Sequence, residues 1–151
     1  PYLRCLAHLE WRIHIARLAR DDDMGDWQQF AELTPEARGA CSLRASHALS
    51  ILQSIYPIDV IWHRHTAPGQ PLDNLPGPVY LCIHREGRFG IGVSRLTPRE
   101  SGIAGAIMSG ATVTELERLS EDMHAGHATD MVLEWISRGW ITGYSPGAGD
   151  A

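Results

Sequence analysis

The stretch VYLCIHREGRFGIGVSRLTPRESGIAGAIMSGATVTELERL, residues 79–119, decides the fold that the sequence predicts. Apolar residues occupy every second position on both sides of the tetrapeptide REGR, which has the composition of a turn. This period of two is typical of strands that bury one face. We therefore expect a β-hairpin with one apolar face. Its apolar positions are Val79, Leu81, Ile83, Phe89, Ile91 and Val93.

Two capping boxes follow the hairpin. Thr97 precedes Pro98, with Glu100 three residues after the threonine, and Thr112 stands in the same relation to Glu115. In a capping box the threonine side chain and the glutamate satisfy backbone N–H groups at the start of a helix, and proline suits the first helical position. The pattern predicts two short helices, the first of which ends at a glycine, Gly110.

A third helix is predicted over about residues 128–138, because Met131, Val132, Trp135 and Ile136 fall on one side of it. The segment WITGY at 140–144 can add a last short strand. Two strands, three helices and a final extended piece are the composition of a winged helix.

The upstream half is less regular. Residues 1–19 carry apolar residues at helical spacing, which predicts a helix. Trp11, Ile15 and Leu18 are predicted to widen its buried face. The segment LTPEARG indicates one helical turn before Gly39. Residues 41–55 favour two short strands over a strand followed by a helix. The segment YPIDVIWHRH indicates one or two further helical turns. We expect an α+β protein: a helical and short-stranded part at 1–65, a Pro-rich linker at 66–78, and a winged-helix-like module at 79–145.

Composition limits the function classes. The 151 residues suffice for one medium domain or two small ones, and 13 basic residues, all of them Arg, oppose 18 acidic ones, a net charge of -5. No apolar run approaches the length of a membrane span, and the start of the chain has no signal-peptide pattern. Three cysteines far apart in sequence fit a reduced compartment, so we expect a cytoplasmic protein without a membrane partner. Because the chain begins inside a helix and without Met, we also expect an N-terminal portion to be missing.

Charge argues against nucleic acid as the ligand of the winged-helix-like module. Residues 77–144 contain six Arg and eight Asp or Glu, a net charge of -2, and the third helix has Asp130 and Glu134 against Arg138 alone. Phosphate neutralisation supplies most non-specific affinity for DNA. The charge therefore favours a peptide as the ligand of this module. A winged-helix transcriptional regulator stays the alternative.

An exposed hairpin edge offers backbone N–H and C=O groups to an extended peptide, which adds as a further strand. Gly90 and Gly92 leave one face of their strand without side chains. Either a helix packs close to these glycines, or they mark a bulge, or a bound strand covers them.

The hairpin and helices, followed by MVLEWISRGWI, resemble the RiPP recognition elements, modules that hold the leader peptides of ribosomally made natural products. Together with PYLRCLAHLEWRIHIARLARDDD and LTPEARGACSLRASHALSILQSIYPIDVIWHRH, in that order, they resemble the partner-protein family of the multinuclear non-heme iron oxidative enzymes. Members of this family were first labelled DNA-binding, and the partner subunit of methanobactin biosynthesis is a distant relative. The resemblance covers residues 1–144.

The resemblance implies a non-catalytic subunit with no cofactor of its own. It would form a heterodimer with a TIM-barrel-type iron enzyme, which carries the iron. It would hold the leader of a precursor peptide by strand addition and present core cysteines for oxidation. Family members begin with an N-terminal helical region that this sequence lacks.

The candidate peptide-binding residues lie on the hairpin and the third helix. Trp27 and Trp62, which flank polar stretches, are candidate interface anchors or half-exposed packing residues. Arg85 and Arg88 at the turn would meet acidic leader residues or stay solvated. The peptide-binding set is Val79, Tyr80, Leu81, Cys82, Ile83, His84, Phe89, Gly90, Ile91, Gly92, Val93, Met131, Trp135 and Arg138.

No catalytic constellation is predicted. The histidine pairs His63/His65 and His124/His127 have no Cys or carboxylate at ligand spacing, so no metal site is expected. Nucleophile-elbow, P-loop and dinucleotide fingerprints are missing from the sequence. Cys82 is either a reactive thiol or a buried inert one.

Overall fold

A computed structural model of the chain describes residues 1–66, 77–87, 90–121 and 127–147, and only the backbone of residues 65, 66, 127 and 128. These ranges contain seven helices and five strands, which confirms the α+β class and the C-terminal hairpin and helices. The predicted linker lies mostly outside the described residues. The helices are α1 (Leu3–Leu18), α2 (Trp27–Glu32), α3 (Pro35–Ala40), α4 (Ile58–Thr66), α5 (Pro98–Met108), α6 (Val113–Leu119) and α7 (His127–Ser137); the strands are β1 (Ser42–Ala45), β2 (Ser50–Ser54), β3 (Val79–Glu86), β4 (Gly90–Leu96) and β5 (Ile141–Ser145).

The chain forms two compact units, each made of two separate segments. The first unit comprises Pro1–Arg20 and Ala48–Ser101, and the second comprises Asp21–His47 and Gly102–Ala151. The hairpin β3–β4 belongs to the first unit, and α6, α7 and β5 belong to the second. The module expected at 79–145 is therefore divided between the units, because the hairpin shares a sheet with β2 and a core with α1.

The first unit is an antiparallel sheet with strand order β2-β3-β4 and helix α1 on one face. In the register, Leu81 of β3 lies opposite Leu52 of β2 on one side and Arg95 of β4 on the other. Odd-numbered residues of β3 and one stripe of α1 meet in a single core. Its buried members are Leu9, Ile13, Ala16, Ala48, Ile58, Val79, Leu81 and Ile83.

Helix α1 buries a narrower face than the sequence predicts. Leu6, Leu9, Ile13 and Ala16 are buried as expected. Trp11, Ile15 and Leu18, however, are 61%, 42% and 69% exposed, so their assignment to the buried face and that of Trp11 to the core were wrong. At 100° per residue these three side chains lie opposite the Leu9–Ile13 stripe, and one sheet covers only one side of the helix.

The second unit joins β1 and β5 as an antiparallel pair and surrounds them with helices α2, α3, α6 and α7 and most of α5. The second capping box forms as predicted: Glu115 N–H donates to Thr112 Oγ1, and Thr112 N–H donates to Glu115 Oε2. Helix α2, which the sequence did not predict, begins at Trp27 and is capped by Asp26, whose carboxylate accepts a hydrogen bond from the N–H of Gln29. The core of this unit includes Trp135 and Trp140, both 4% exposed.

Within the described ranges, no helix combines the length and the apolar character that a bilayer crossing requires.

Candidate peptide-binding site

Strand β4 forms one edge of the first unit's sheet. It pairs with β3 over Gly90–Leu96, from Glu86↔Gly90 to Tyr80↔Leu96. In the part of the chain that the structure describes, no strand pairs with the other side of β4. A strand at an edge points half of its backbone N–H and C=O groups away from its only partner. This edge has what an extended peptide needs for main-chain pairing.

Strand β3 is interior, which corrects part of the predicted site. It pairs with β2 on one side and β4 on the other, so neither of its edges can receive a guest strand. The side chains predicted to line a groove are also inaccessible, because both faces of β3 are covered. Those that are 4% exposed or less are Val79, Leu81, Cys82, Ile83 and His84.

The bare face expected at the glycines of β4 is filled by the neighbouring strand. A Cβ on Gly92 would lie 2.7 Å from Glu86 Cδ and closer still to the ring of His84. His84 Nε2 forms a 2.9 Å hydrogen bond with Ser94 Oγ, which holds the ring across the hairpin. The side chains of His84 and Glu86 therefore cover the face of Gly92 from within the hairpin. No packed helix, bulge or bound strand is needed to explain the glycine at this position.

The two ends of the hairpin are tied to helices. At one end, Arg95 forms a two-point ion pair with Asp59 of α4. The hydrogen bond to Asp59 raises the pKa of Arg95 above its ordinary value, although burial opposes it. Near the other end, Arg85 Nη2 donates to the carbonyl of Ala19, just after α1. Arg85 thus has a structural contact within the chain, whereas Arg88 and Phe89 lie outside the described residues.

Strand β4 has few large exposed side chains. Ile91 and Val93 are half-buried and pack against the core, and Gly90 is exposed. Such an edge offers main-chain bonds with little steric hindrance from side chains on the outer face. Tyr80, also in the predicted set, is half-buried and shares a side-chain hydrogen bond with Gln53.

The two units differ strongly in charge. The segments of the first unit contain nine Arg against five Asp and Glu, a net charge of +4, and those of the second contain four Arg against thirteen Asp and Glu, a net charge of -9. The overall charge of -5 conceals this asymmetry. The β4 edge belongs to the basic unit, which favours an acidic guest.

The predicted α7 residues lie in the second unit. Met131 and Trp135 are both 4% exposed, so they are core residues, which corrects their assignment to an accessible groove wall beside the hairpin. Arg138 pairs with Glu134 at 2.6 Å and lies over the Trp140 ring, 5.3 Å from its centroid. These contacts account for Arg138 without a ligand.

Of the two candidate interface tryptophans, Trp62 is half-buried against the core of the first unit, and Trp27 is half-buried on the wall of an apolar groove in the second unit. The sequence reading missed the exposed row Trp11, Ile15 and Leu18. Its signal was present: apolar residues on α1 occupy two opposite stripes, and a sheet covers only one of them.

The expectation that this chain holds no metal stays a prediction. Among the residues described, no group of three or more His, Cys, Asp and Glu side chains is placed to hold a metal ion. The side chains of His65, His124 and His127 are outside that set.

No protein-family model matches the chain, and no curated protein matches it at a significant level.

Proposed function

We propose that the protein is a non-catalytic partner subunit that holds the leader of a ribosomally made precursor peptide by strand addition at β4. It presents the Cys-containing core of that peptide to an iron-dependent oxidative enzyme of the cytoplasm. The observation that carries the proposal is the position of β4: seven residues of hairpin strand at the border of a sheet, with β3 as its one partner strand among the residues that the structure describes.

Charge supports an acidic leader. The first unit has a net charge of +4, and a negatively charged extended segment is steered toward such a surface. Main-chain hydrogen bonds provide affinity for any sequence, and the charge adds selectivity.

The exposed row on α1 supports a protein partner. Trp11, Ile15 and Leu18 form an apolar stripe, and exposed Arg4 and Arg12 lie on the same helix. Aromatic side chains concentrate binding energy in protein interfaces. We assign this stripe to the contact with the iron enzyme, in place of Trp27 and Trp62.

The alternative, a DNA-binding regulator, places α7 in the major groove. Its weakness is electrostatic, because α7 belongs to a unit with a net charge of -9.

The test is co-expression of the chain with the iron enzyme and the short Cys-containing peptide encoded beside it. We expect the three to co-purify and the leader to bind with a Kd of about 1–10 μM or tighter. Failure of the three to associate would refute the role. Binding of a DNA duplex with a steep salt dependence, in place of the peptide, would favour the regulator.

Strand addition has its own test, which leaves the protein unchanged. Synthetic leaders are N-methylated at alternate amides in two complementary sets. A β-strand points alternate amides to opposite sides. We therefore expect one set to abolish binding and the other to leave it within about threefold. Equal effects of both sets would exclude pairing with β4.

The enzyme contact is tested with Trp11→Ala. We expect this variant to lose the enzyme on co-purification and to keep its affinity for the leader. Leu3→Ala is the matched control, because Leu3 is 67% exposed on the same helix but outside the stripe. Equal losses in the two variants would contradict the assignment.

A further inference from the structure

The second unit contains an apolar groove of about 490 Å³. Residues of α2, α6 and α7 supply most of its lining, and α3, β1 and α5 add one residue each. Leu43, Ile103, Leu116 and Met131 are buried in it, whereas Leu133 is 57% exposed. A floor of buried side chains with an exposed leucine at its border is the form of a site that receives apolar side chains.

The surroundings of this groove are acidic. Glu117 belongs to its lining, α7 adds the exposed Asp130, and α2 adds the exposed Glu32. The whole unit has a net charge of -9. An apolar groove in such a field favours a partner that combines apolar side chains with positive charge.

Two of the unit's own arginines, Arg38 and Arg138, are already engaged within the chain. Arg38 Nη2 donates to the carbonyls of Ala31 and Leu33, and its guanidinium lies over the Phe30 ring, 5.9 Å from the centroid. Arg138 is paired with Glu134. Arg38 is the one cation among the described residues of the groove lining, and it is held by backbone carbonyls and a ring. An incoming cation therefore meets the carboxylates around the groove.

The walls also determine the conformation of the guest. Most of the lining belongs to helices, which have no strand edge, so an extended peptide finds no β-ladder to join here. A helical guest satisfies its own backbone and needs only pockets for side chains spaced i, i+3, i+4 and i+7.

We infer that this groove binds a cationic amphipathic helix of another protein, with its apolar face on Leu116, Val132 and Leu133 and its positive residues toward Glu117 and Asp130. The site is in the unit that does not contain β4, so it is independent of the leader-binding proposal. Opposite charges on the two units give each its own class of partner.

The experiment uses the whole chain and a fluorescein-labelled peptide of about 18 residues, with Leu on one helical face and Arg and Gln on the other. Anisotropy should give a Kd of about 10 μM or tighter at physiological salt. A peptide of the same composition with its leucines spread around the helix should bind at least about tenfold more weakly, and so should a version with Glu in place of Arg.

Two exposed leucines of the second unit provide matched variants. Leu133→Ser, in the groove, should weaken binding at least about tenfold, whereas Leu119→Ser, 59% exposed and outside the groove lining, should leave it within about twofold. Ala31→Trp, which fills the groove from α2, should also abolish binding.

Three results would overturn the inference: equal affinity for the two peptides of equal composition, equal losses in Leu133→Ser and Leu119→Ser, or no binding at 100 μM, a concentration about tenfold above the expected Kd. Sedimentation of the chain alone tests whether a second copy of the chain occupies the groove. A dimer that Leu133→Ser dissociates would mean that a second copy fills the groove, and would replace the inference.

Discussion

Asp59 of α4 and Arg95 of β4 form a two-point ion pair: Arg95 Nε lies 2.5 Å from Asp59 Oδ2, and Arg95 Nη2 lies 3.0 Å from Oδ1. The Asp59 side chain is 11% exposed and that of Arg95 is 45% exposed. The pair therefore connects the edge strand of the sheet to a helix. The Asp59 carboxylate is the more buried of the two charges and has the larger desolvation cost.

Removal of this pair should destabilise the protein. Arg95→Ala leaves a buried carboxylate without its cation, so we expect a loss of about 2–4 kcal/mol, and Asp59→Asn, which removes the buried charge itself, should cost less. Urea unfolding provides the measurement. The reference is Glu134→Gln, which breaks the exposed i,i+4 pair with Arg138 and should cost less than about 0.5 kcal/mol. Equal effects of Arg95→Ala and Glu134→Gln would contradict the structural role of the pair.

Asp22 should give the protein an acid-sensitive stability. Burial alone would raise the pKa of Asp22, but hydrogen bonds from Ser46 Oγ at 2.6 Å, from the His47 N–H at 3.0 Å and from the His47 ring hold it below its ordinary value. Because the folded-state pKa is the lower one, the stabilisation is complete above the unfolded pKa near 3.8 and is lost as pH falls through the folded value.

The difference in unfolding free energy between the wild type and Asp22→Asn should accordingly be largest above about pH 5 and shrink toward pH 3 and below. Urea titrations at a series of pH values measure it. Ser46→Ala, which removes one of the hydrogen bonds that lower the pKa of Asp22, should reduce this trend. A constant difference for Asp22→Asn across this range would exclude the linkage.

Gly92 should not tolerate a side chain. The His84 ring and the Glu86 carboxylate occupy the position of a Cβ, and the ring is also held by Ser94. We expect Gly92→Ala to cost about 1–3 kcal/mol, because either the hydrogen bond or the hairpin packing must give way. Thermal unfolding checks the value. Restored stability in Gly92→Ala combined with His84→Ala would identify the ring as the obstacle, and an unchanged loss would point elsewhere.

Gly105 should behave in the opposite way. It lies inside α5, and a Cβ at this position would meet nothing within 4 Å. Alanine has the higher helix propensity and restricts the unfolded chain, so Gly105→Ala should stabilise the protein by about 0.5–1 kcal/mol. Calorimetry should show a higher Tm. A lower Tm would mean that α5 does not accept a side chain on this face.

The three thiols should react at different rates. Cys41 and Cys82 are each 1% exposed, whereas Cys5 is only partly buried. This burial favours the inert reading of Cys82. We expect Cys5 to react first with a thiol reagent and the other two at least about 100-fold more slowly, since they need an opening of about 3 kcal/mol or more. Cys5→Ser should remove the fast phase, and its persistence would show that a buried thiol opens readily.

Local patterns alone determined most of the secondary structure. The hairpin follows from alternation, and α5 and α6 follow from capping boxes in which Thr97 and Thr112 bond to backbone three residues ahead. These signals span a few residues, so no distant contact is needed to form them. Helix α2 was not predicted, because a helix of six residues is too short to show a helical period and its single Asp cap is a weak signal.

The tertiary structure decided which edge of the hairpin is open. Strand β2 pairs with β3 across α4 and the Pro-rich segment, and this pairing buries β3 and leaves β4 as the border. The same long-range packing determines that Leu9 faces the core while Trp11 faces away, although both are apolar and on one helix. Alternation and helical spacing define which residues share a face; only the packing of segments distant in sequence determines which face is covered.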